Sequence, residues 1–385
     1  YIGRGRFYPG YPLRVPVTDI EEVGNGGTSI AWIDDIGNLK VGPVAAGSHP
    51  GPACYGRGGK EPTVTDAYLV NGLMNPNYLL GGEMKIYRDL AIKAIKEKIA
   101  DYYNITVEEA AEGIIKIANE NAANAIRIIS VQRGYDPRDF TLVSHGGSGP
   151  MFAPFIAQDL EINKILIPSI PPGVFSAWGM LLTDLRHDLI ATNVMTVSEQ
   201  AVKSINETFS DLDEKIVKIF ETDEKVSREN VAISHYADMR YKGQEHAVKI
   251  PIEEKLVDLK NLGTIIERFH SFHEREYSFR LQNSKIEITN FHVVGVSKVE
   301  KPVVRELDKG AATDKAIKEF RKVFLNGESV ELPVYERSNI KPNERFKGPA
   351  IIEDPTSTVL VLGSQVFSND KFGNIIIRSR GDRND

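Results

Sequence analysis

The stretch Thr141-Leu-Val-Ser-His-Gly-Gly-Ser-Gly-Pro-Met151 constrains this chain more than any other. A short apolar run ends abruptly in Gly146-Gly147-Ser148-Gly149, and Pro150 then opens a helical pattern that runs through Leu160. Proline suits the first helical position, where its missing N–H is not needed. Glycines at the turn remove the Cβ atoms that would hold a bulky anion away from the backbone. The helix start adds unpaired N–H groups and the positive end of a dipole. Strand, glycine turn and helix therefore form a cradle for a phosphate or nucleotide. The same glycines would also serve a turn made for packing alone, and these residues by themselves leave both readings open.

The bulk properties narrow the class. A chain of 385 residues has room for two or three domains at roughly 150 residues each. A formal net charge of −6 and the lack of a basic tract argue against a dedicated nucleic-acid binder. The single cysteine, Cys54, rules out an intramolecular disulfide and fits a reducing compartment, so a cytoplasmic location is expected. No apolar run approaches the ~18–20 residues of a membrane-spanning helix, so no membrane partner is expected. The sequence opens Tyr1-Ile2-Gly3-Arg4 without a methionine, which suggests a fragment, a processed chain or a split subunit.

Along the chain, residues 1–60 are rich in glycine and proline. Thr28 to Asp34 alternates as a strand, Asp35 to Asn38 reads as a hairpin turn, and Leu39 to Val44 returns. His49 to Gly59 is nearly all turn formers, either a functional loop or a packed coil. Tyr68 to Leu73 reads as a helix with Thr65 or Asp66 near its start; Asp66 either caps that helix or faces a metal–phosphate group. Asp89 to Tyr103 is helical. A stronger amphipathic helix follows, with Ala111, Ile114, Ile115, Ala118, Ala122, Ala125, Ile126 and Ile129 on one face and Gly134 as its stop. Beyond the Pro150 helix, Lys164 to Pro168 is a buried strand, giving the strand–helix–strand order of a parallel α/β core. From about residue 190 helices (Glu199–Glu221, Leu256–Tyr277) mix with strands (Ala232–Tyr241, Glu245–Ile252, Glu287–Val299), and beyond Lys301 the chain is β-rich.

Several blocks together resemble the A-type subunits of the hydantoinase/oxoprolinase family. They are Gly24 to Asp34 (GNGGTSIAWID), Gly42 to Ala67, His145 to Ala153 (HGGSGPMFA), Pro172 to Asp188, Ala237 to Gln244 (ADMRYKGQ) and Gly348 to Thr358 (GPAIIEDPTST). The resemblance implies an α/β fold: part of an actin-like (ribonuclease H-like) ATPase lobe over 1–190, an α+β accessory domain over 191–300, and a β-rich C-terminal domain over 301–385. It implies ATP-dependent hydrolysis of a cyclic amide such as a hydantoin or 5-oxoproline, or ATP-dependent carboxylation of a ketone. The implied cofactors are ATP and Mg²⁺, and the implied partner is a B-type subunit acting with it on a small-molecule substrate. His145, Gly146, Gly147, Ser148 and Gly149 match the family's nucleotide element, with Gly26 and Gly27 as further cofactor-binding positions. The family's two upstream phosphate motifs have no counterpart here, since Asn25 stands where the second has an Asp. The chain is therefore expected to begin after them and to need a missing N-terminal lobe or chain, without which it is either inactive or a non-catalytic assembly module. Asp66 is the local candidate for catalysis and for metal binding.

Other side chains carry two readings each. Cys54 is a buried thiol rather than a nucleophile, because no histidine partner is evident. His145 either contacts ligand or braces the turn. His270 and His273, spaced three apart, fit a packed helix better than a metal site. Arg186-His187-Asp188 either anchors a substrate carboxylate or closes an ion-paired corner. Tyr241-Lys242-Gly243-Gln244 reads as a hairpin in the accessory domain and a candidate subunit contact.

Overall fold

The computed structural model describes residues 20–307 and 316–380, so the opening of the Gly/Pro-rich stretch lies outside the described residues. Contacts divide the chain into two compact units. One joins the residues up to Trp178 with those from Val304 onward; the other is Gly179–Val303.

The first unit begins with the hairpin of β1 (Ser29–Ile33) and β2 (Leu39–Ala45), antiparallel as the alternation predicts. Asp34 closes its turn by accepting the N–H groups of Ile36 and Asn38. Helix α1 (Val64–Val70) starts earlier than the predicted Tyr68, because Thr63 and Asp66 form a reciprocal capping box. Next come α2 (Arg88–Ile95), a π-helical turn, and α3 (Asp101–Tyr103). Helix α4 (Val107–Ile129) opens on a second capping box, Thr106 with Glu109. Ala110, Ala111, Ile114, Ile115 and Ala118 are its buried stripe, and each such isoleucine contributes about 1.5–3 kcal/mol over remaining exposed. The helix stops at Ile129, short of Gly134, which instead ends a following 3₁₀ turn at φ 81°. Strand β3 (Thr141–Val143), helix α5 (Gly149–Asp159) and strand β4 (Lys164–Ile167) complete the expected unit, β3 and β4 being parallel. Helix α6 (Phe175–Met180) leads out of it.

The second unit is one antiparallel sheet with two helices. Its elements are β5 (Leu185–Thr196), α7 (Val202–Thr222), β6 (Ala232–Tyr241), β7 (Val248–Ile252), α8 (Leu262–Tyr277) and β8 (Ile286–Ser297), in sheet order β5-β8-β6-β7. Phe209, Ile216 and Phe220 of α7 and Phe269 of α8 share one core with Phe291 and Val293 of β8. Gly295 permits that approach, since a Cβ there would meet the Phe220 ring at 2.7 Å. Strand β5 escaped the sequence reading because charged residues interrupt its apolar alternation.

The rest of the chain returns to the first unit through β9 (Ile317–Leu325), β10 (Glu328–Glu336), β11 (Arg345–Lys347), β12 (Ala350–Asp354), β13 (Ser357–Val361), β14 (Gln365–Asn369) and β15 (Ile375–Ser379). One sheet has the order β13-β12-β10-β9; the other, β11-β14-β15-β4-β3, carries the glycine turn at its edge. Ile375 pairs with Ile167 and Ile377 with Ile165, so the last strands finish the sheet that β3 and β4 begin. The contact units divide at 178/179 and 303/304, and the β-rich segment shares the first unit's core. The whole is mixed α/β. Among the described residues no helix is long and apolar enough to cross a membrane.

Candidate functional site

The glycine turn is built from bare main chain. Gly146 sits at φ 85° and donates its N–H to Pro172 O at 2.7 Å, which fixes the turn against the 172–174 bend. An added Cβ on Gly146 or Gly147 would meet nothing within 4 Å, so the backbone faces open space there. Ser148 precedes α5 without capping it through its side chain. Among the described residues the N–H groups of Gly147, Ser148 and Gly149 have no acceptor, and the Ser148 hydroxyl makes no hydrogen bond. Three main-chain donors thus stand free at the positive end of an eleven-residue helix, the kind of terminus that suits an anion.

The second predicted glycine segment meets the first. Gly27 O accepts both the N–H and the hydroxyl of Thr65, each at 2.8 Å, which ties it to the start of α1. A Cβ on Gly27 would fall inside van der Waals contact with Ser148 Oγ and 3.0 Å from Thr65 Oγ1. Gly26 lies in the open, its N–H held by Ser29 Oγ at 2.9 Å. The structure thus brings Gly26, Gly27 and the 146–149 turn to one place. His145 is exposed and packs its ring against Phe175 at 5.0 Å, with Trp178 stacked beyond at 5.8 Å.

Asp66 requires a correction. Its side chain is fully buried, and its oxygens accept Ala53 N–H (3.2 Å), Cys54 N–H (2.7 Å), Thr63 N–H (2.9 Å) and Thr63 Oγ1–H (2.8 Å). A carboxylate so saturated pins the 53–55 turn to α1; a metal ion or a transferable proton would have to displace these donors. The catalytic and metal-binding role expected of Asp66 therefore gives way to an architectural one. The resemblance implies Mg²⁺, but among the described residues no group of three or more His, Cys, Asp or Glu side chains is arranged to hold a metal ion. The donors present fit a phosphate and do not fit a metal site.

Beside the turn a cleft of about 120 Å³ opens within the first unit. Its walls are Tyr55 and Thr65, the 74–79 segment after α1, Gly147, Ser148 and Met151, and the β12–β13 turn from Glu353 to Thr358. Asp354 builds that turn, accepting Thr356 N–H and hydroxyl at 2.8 Å, Ser357 N–H at 2.9 Å and Ser357 hydroxyl at 2.8 Å. Arg337 Nη1 pairs with Asp354 at 3.0 Å, while its Nη2 donates to the carbonyls of Pro168 and Gly373. Glu353 is only 1% exposed, paired with Arg321 at 2.7 Å and Lys318 at 3.1 Å. Burial works against the Lys318 ammonium, yet Glu353 and Glu336 outweigh it and hold its pKa above the ordinary lysine value. Sequence reasoning found the Gly348–Thr358 block as a resemblance and assigned it no role; its Asp-Pro-Thr-Ser-Thr composition was the available signal.

The remaining candidates settle elsewhere. Cys54 is buried, and burial followed by the charge of Asp66 pushes its thiol pKa far up, so it is inert. Arg186 is engaged by Asp188 through two 2.8 Å bonds, while His187 reaches Glu224 at 2.8 Å. His270 Nδ1 lies 2.6 Å from the Tyr241 hydroxyl, and burial depresses its pKa; His273 is buried between Gln244 and Phe279 O. Tyr241 and Gln244 thus brace this histidine pair inside the second unit.

An α/β unit with an open glycine turn beside a polar cleft is the class that fold and site define. The chain belongs to the hydantoinase/oxoprolinase family: the profile of the hydantoinase/oxoprolinase domain matches residues 4–189 and that of its C-terminal domain residues 193–375. It is 39% identical over 364 residues to an uncharacterized protein of Methanocaldococcus jannaschii, covering 94% of this chain and 51% of that one. It is 35% identical over 356 residues to the caprolactamase subunit alpha of Pseudomonas jessenii, covering 91% and 51%. The nucleotide-free structure of acetone carboxylase superposes with TM-score 0.85 at 24% identity, over 92% of this chain and 52% of that one, a likeness of fold. The chain spans about half the length of the curated relatives it matches.

Proposed function

We propose that this chain forms part of an enzyme that hydrolyses a cyclic amide at the expense of ATP, and that the 146–149 turn with Gly26 and Gly27 receives the nucleotide phosphates. The observation that carries this reading is the set of unpaired N–H groups at Gly147, Ser148 and Gly149 on bare, open main chain. An amide is unreactive near neutral pH. Attack of its imidate oxygen on the γ-phosphorus releases ADP and leaves an O-phosphorylated imidate. Water adds at the imidate carbon, the ring C–N bond breaks to give an acyl phosphate, and a second water releases phosphate and the ring-opened acid. Such transfer depends on positioning and charge neutralisation, which main-chain donors supply without reorganising. Family membership supports ATP-dependent hydantoinase, oxoprolinase or caprolactamase chemistry. Ketone carboxylation is the second reading, favoured by the close superposition on acetone carboxylase.

The relative from Pseudomonas jessenii is named as an alpha subunit, which supports a partner here. We place that partner as a B-type subunit, with a further N-terminal lobe, carried on the same or another chain, completing the nucleotide site and supplying any Mg²⁺ ligands. The test is to incubate the complete assembly with ATP and either a series of cyclic amides or acetone with bicarbonate. ADP and ring-opened acid in equal amounts are expected. Turnover confined to the ketone would replace hydrolysis with carboxylation.

A further inference from the structure

We infer that the cleft beside the glycine turn receives a neutral cyclic amide and rejects substrates that carry a carboxylate. This deepens the nucleotide reading and rests on it, since Gly147 and Ser148 form both the phosphate site and one wall of the cleft.

The wall chemistry carries the inference. Met74, Leu79 and Met151 give the cleft apolar surface of the kind a hydrocarbon ring covers. Tyr55 offers a hydroxyl with no hydrogen-bond partner among the described residues. Asn75 offers its side-chain N–H₂, its oxygen being taken by Asn77 N–H at 3.0 Å. These are donors for an amide carbonyl. Charge is distributed differently. Among the described residues no Lys, Arg or His side chain lines the cleft, whereas Glu353 and Asp354 do. Both acids are already matched: Glu353 to Lys318 and Arg321 behind the wall, Asp354 to Arg337 and the hydroxyls of its own turn. A lactam or hydantoin would lose water only from groups that find new partners. A carboxylate would lose its hydration and find no free cation among the described residues of the wall to replace it, the nearby acids being already paired.

The test uses the natural assembly that contains this chain, at saturating ATP, with ε-caprolactam and hydantoin as neutral probes and 5-oxoproline as the acidic one. The kcat/KM for the better neutral probe is expected to exceed that for 5-oxoproline by about 100-fold or more, because the carboxylate would be desolvated without a counter-charge. Tyr55→Phe and Asn75→Ala should each raise the neutral probe's KM about 5–20-fold, as loss of one hydrogen bond does, while the Kd for ATP stays within about twofold. Comparable kcat/KM values for 5-oxoproline and the neutral probes would overturn the inference. So would KM values that neither substitution moves. If no probe turns over, saturation-transfer NMR on the same assembly reads binding directly, and failure of both neutral probes to bind also overturns it. A separate ATP titration of Gly147→Val isolates the nucleotide reading: unchanged ATP affinity there would sink that reading, independently of the substrate results.

Discussion

Gly27 and Ser148 lie in distant parts of the sequence yet touch so closely that a methyl group on Gly27 would overlap the Ser148 hydroxyl. Thr65 also holds the Gly27 carbonyl, through two 2.8 Å bonds. The contact joins the β1–β2 region to the turn before α5, and the two glycine segments become one surface.

That contact is testable by a double-mutant cycle. Gly27→Ala should cost about 1–3 kcal/mol by overpacking, and Ser148→Ala in the same chain should restore part of it. A coupling energy above about 0.5 kcal/mol in chemical denaturation is expected for touching residues. Strict additivity would mean the two do not meet in solution.

Gly147→Val separates binding from folding. Its Cβ would enter open space, so the melting temperature should change by less than about 2 °C, as for an exposed substitution worth under about 0.5 kcal/mol. The branched side chain would nonetheless stand where a phosphate is expected. ATP binding by calorimetry and turnover in the assembly should fall at least about 100-fold. Gly146→Ala should differ, losing about 1 kcal/mol of stability because Gly146 holds a left-handed conformation at φ 85°.

Asp66→Asn discriminates architecture from catalysis. The amide would turn an N–H₂ toward N–H donors that the carboxylate now accepts, leaving buried groups unmatched. A stability loss of about 2–4 kcal/mol is expected, read as a lower denaturation midpoint. Normal stability with abolished turnover would return Asp66 to the chemistry.

Acid should weaken the second unit through Glu254. Burial by itself would raise this carboxyl, but the bidentate Arg268 guanidinium, at 3.0 and 3.1 Å, outweighs burial and holds the pKa below the ordinary 4.5. The folded state therefore binds fewer protons than the unfolded chain between those values. The stabilisation is present in full above about pH 4.5 and is lost as pH falls through the folded-state pKa. Glu254→Gln should flatten part of the acid limb in a pH series of denaturation curves, and an unaltered limb would count against the assignment.

Much of the fold was legible because local signals and tertiary packing agree. The α4 stripe from Ala111 to Ala118, the alternation of β1 and β2, and the β3–turn–α5–β4 order all rest on short-range periodicity. Gly146 and Gly147 were legible as candidates because glycine has few other reasons to recur before Pro150. Asp66 was read with its two roles side by side, and only the positions of the Ala53 and Cys54 N–H groups separate them. Tyr55, Asn75 and Asp354 belong to turns whose side-chain directions no periodicity encodes.

The sequence by itself determined most of the helices and strands, the place of the glycine turn and the family, because these depend on residue type and spacing along the chain. Tertiary structure alone decided that β15 closes the sheet begun by β3 and β4, that Gly27 lies against Ser148, and that Asp66 spends its charge internally. The physical reason is range. Helix and strand propensities act over a few residues. Hydrogen-bond saturation of a buried carboxylate and the closing of a cleft depend on groups that only the folded chain brings together.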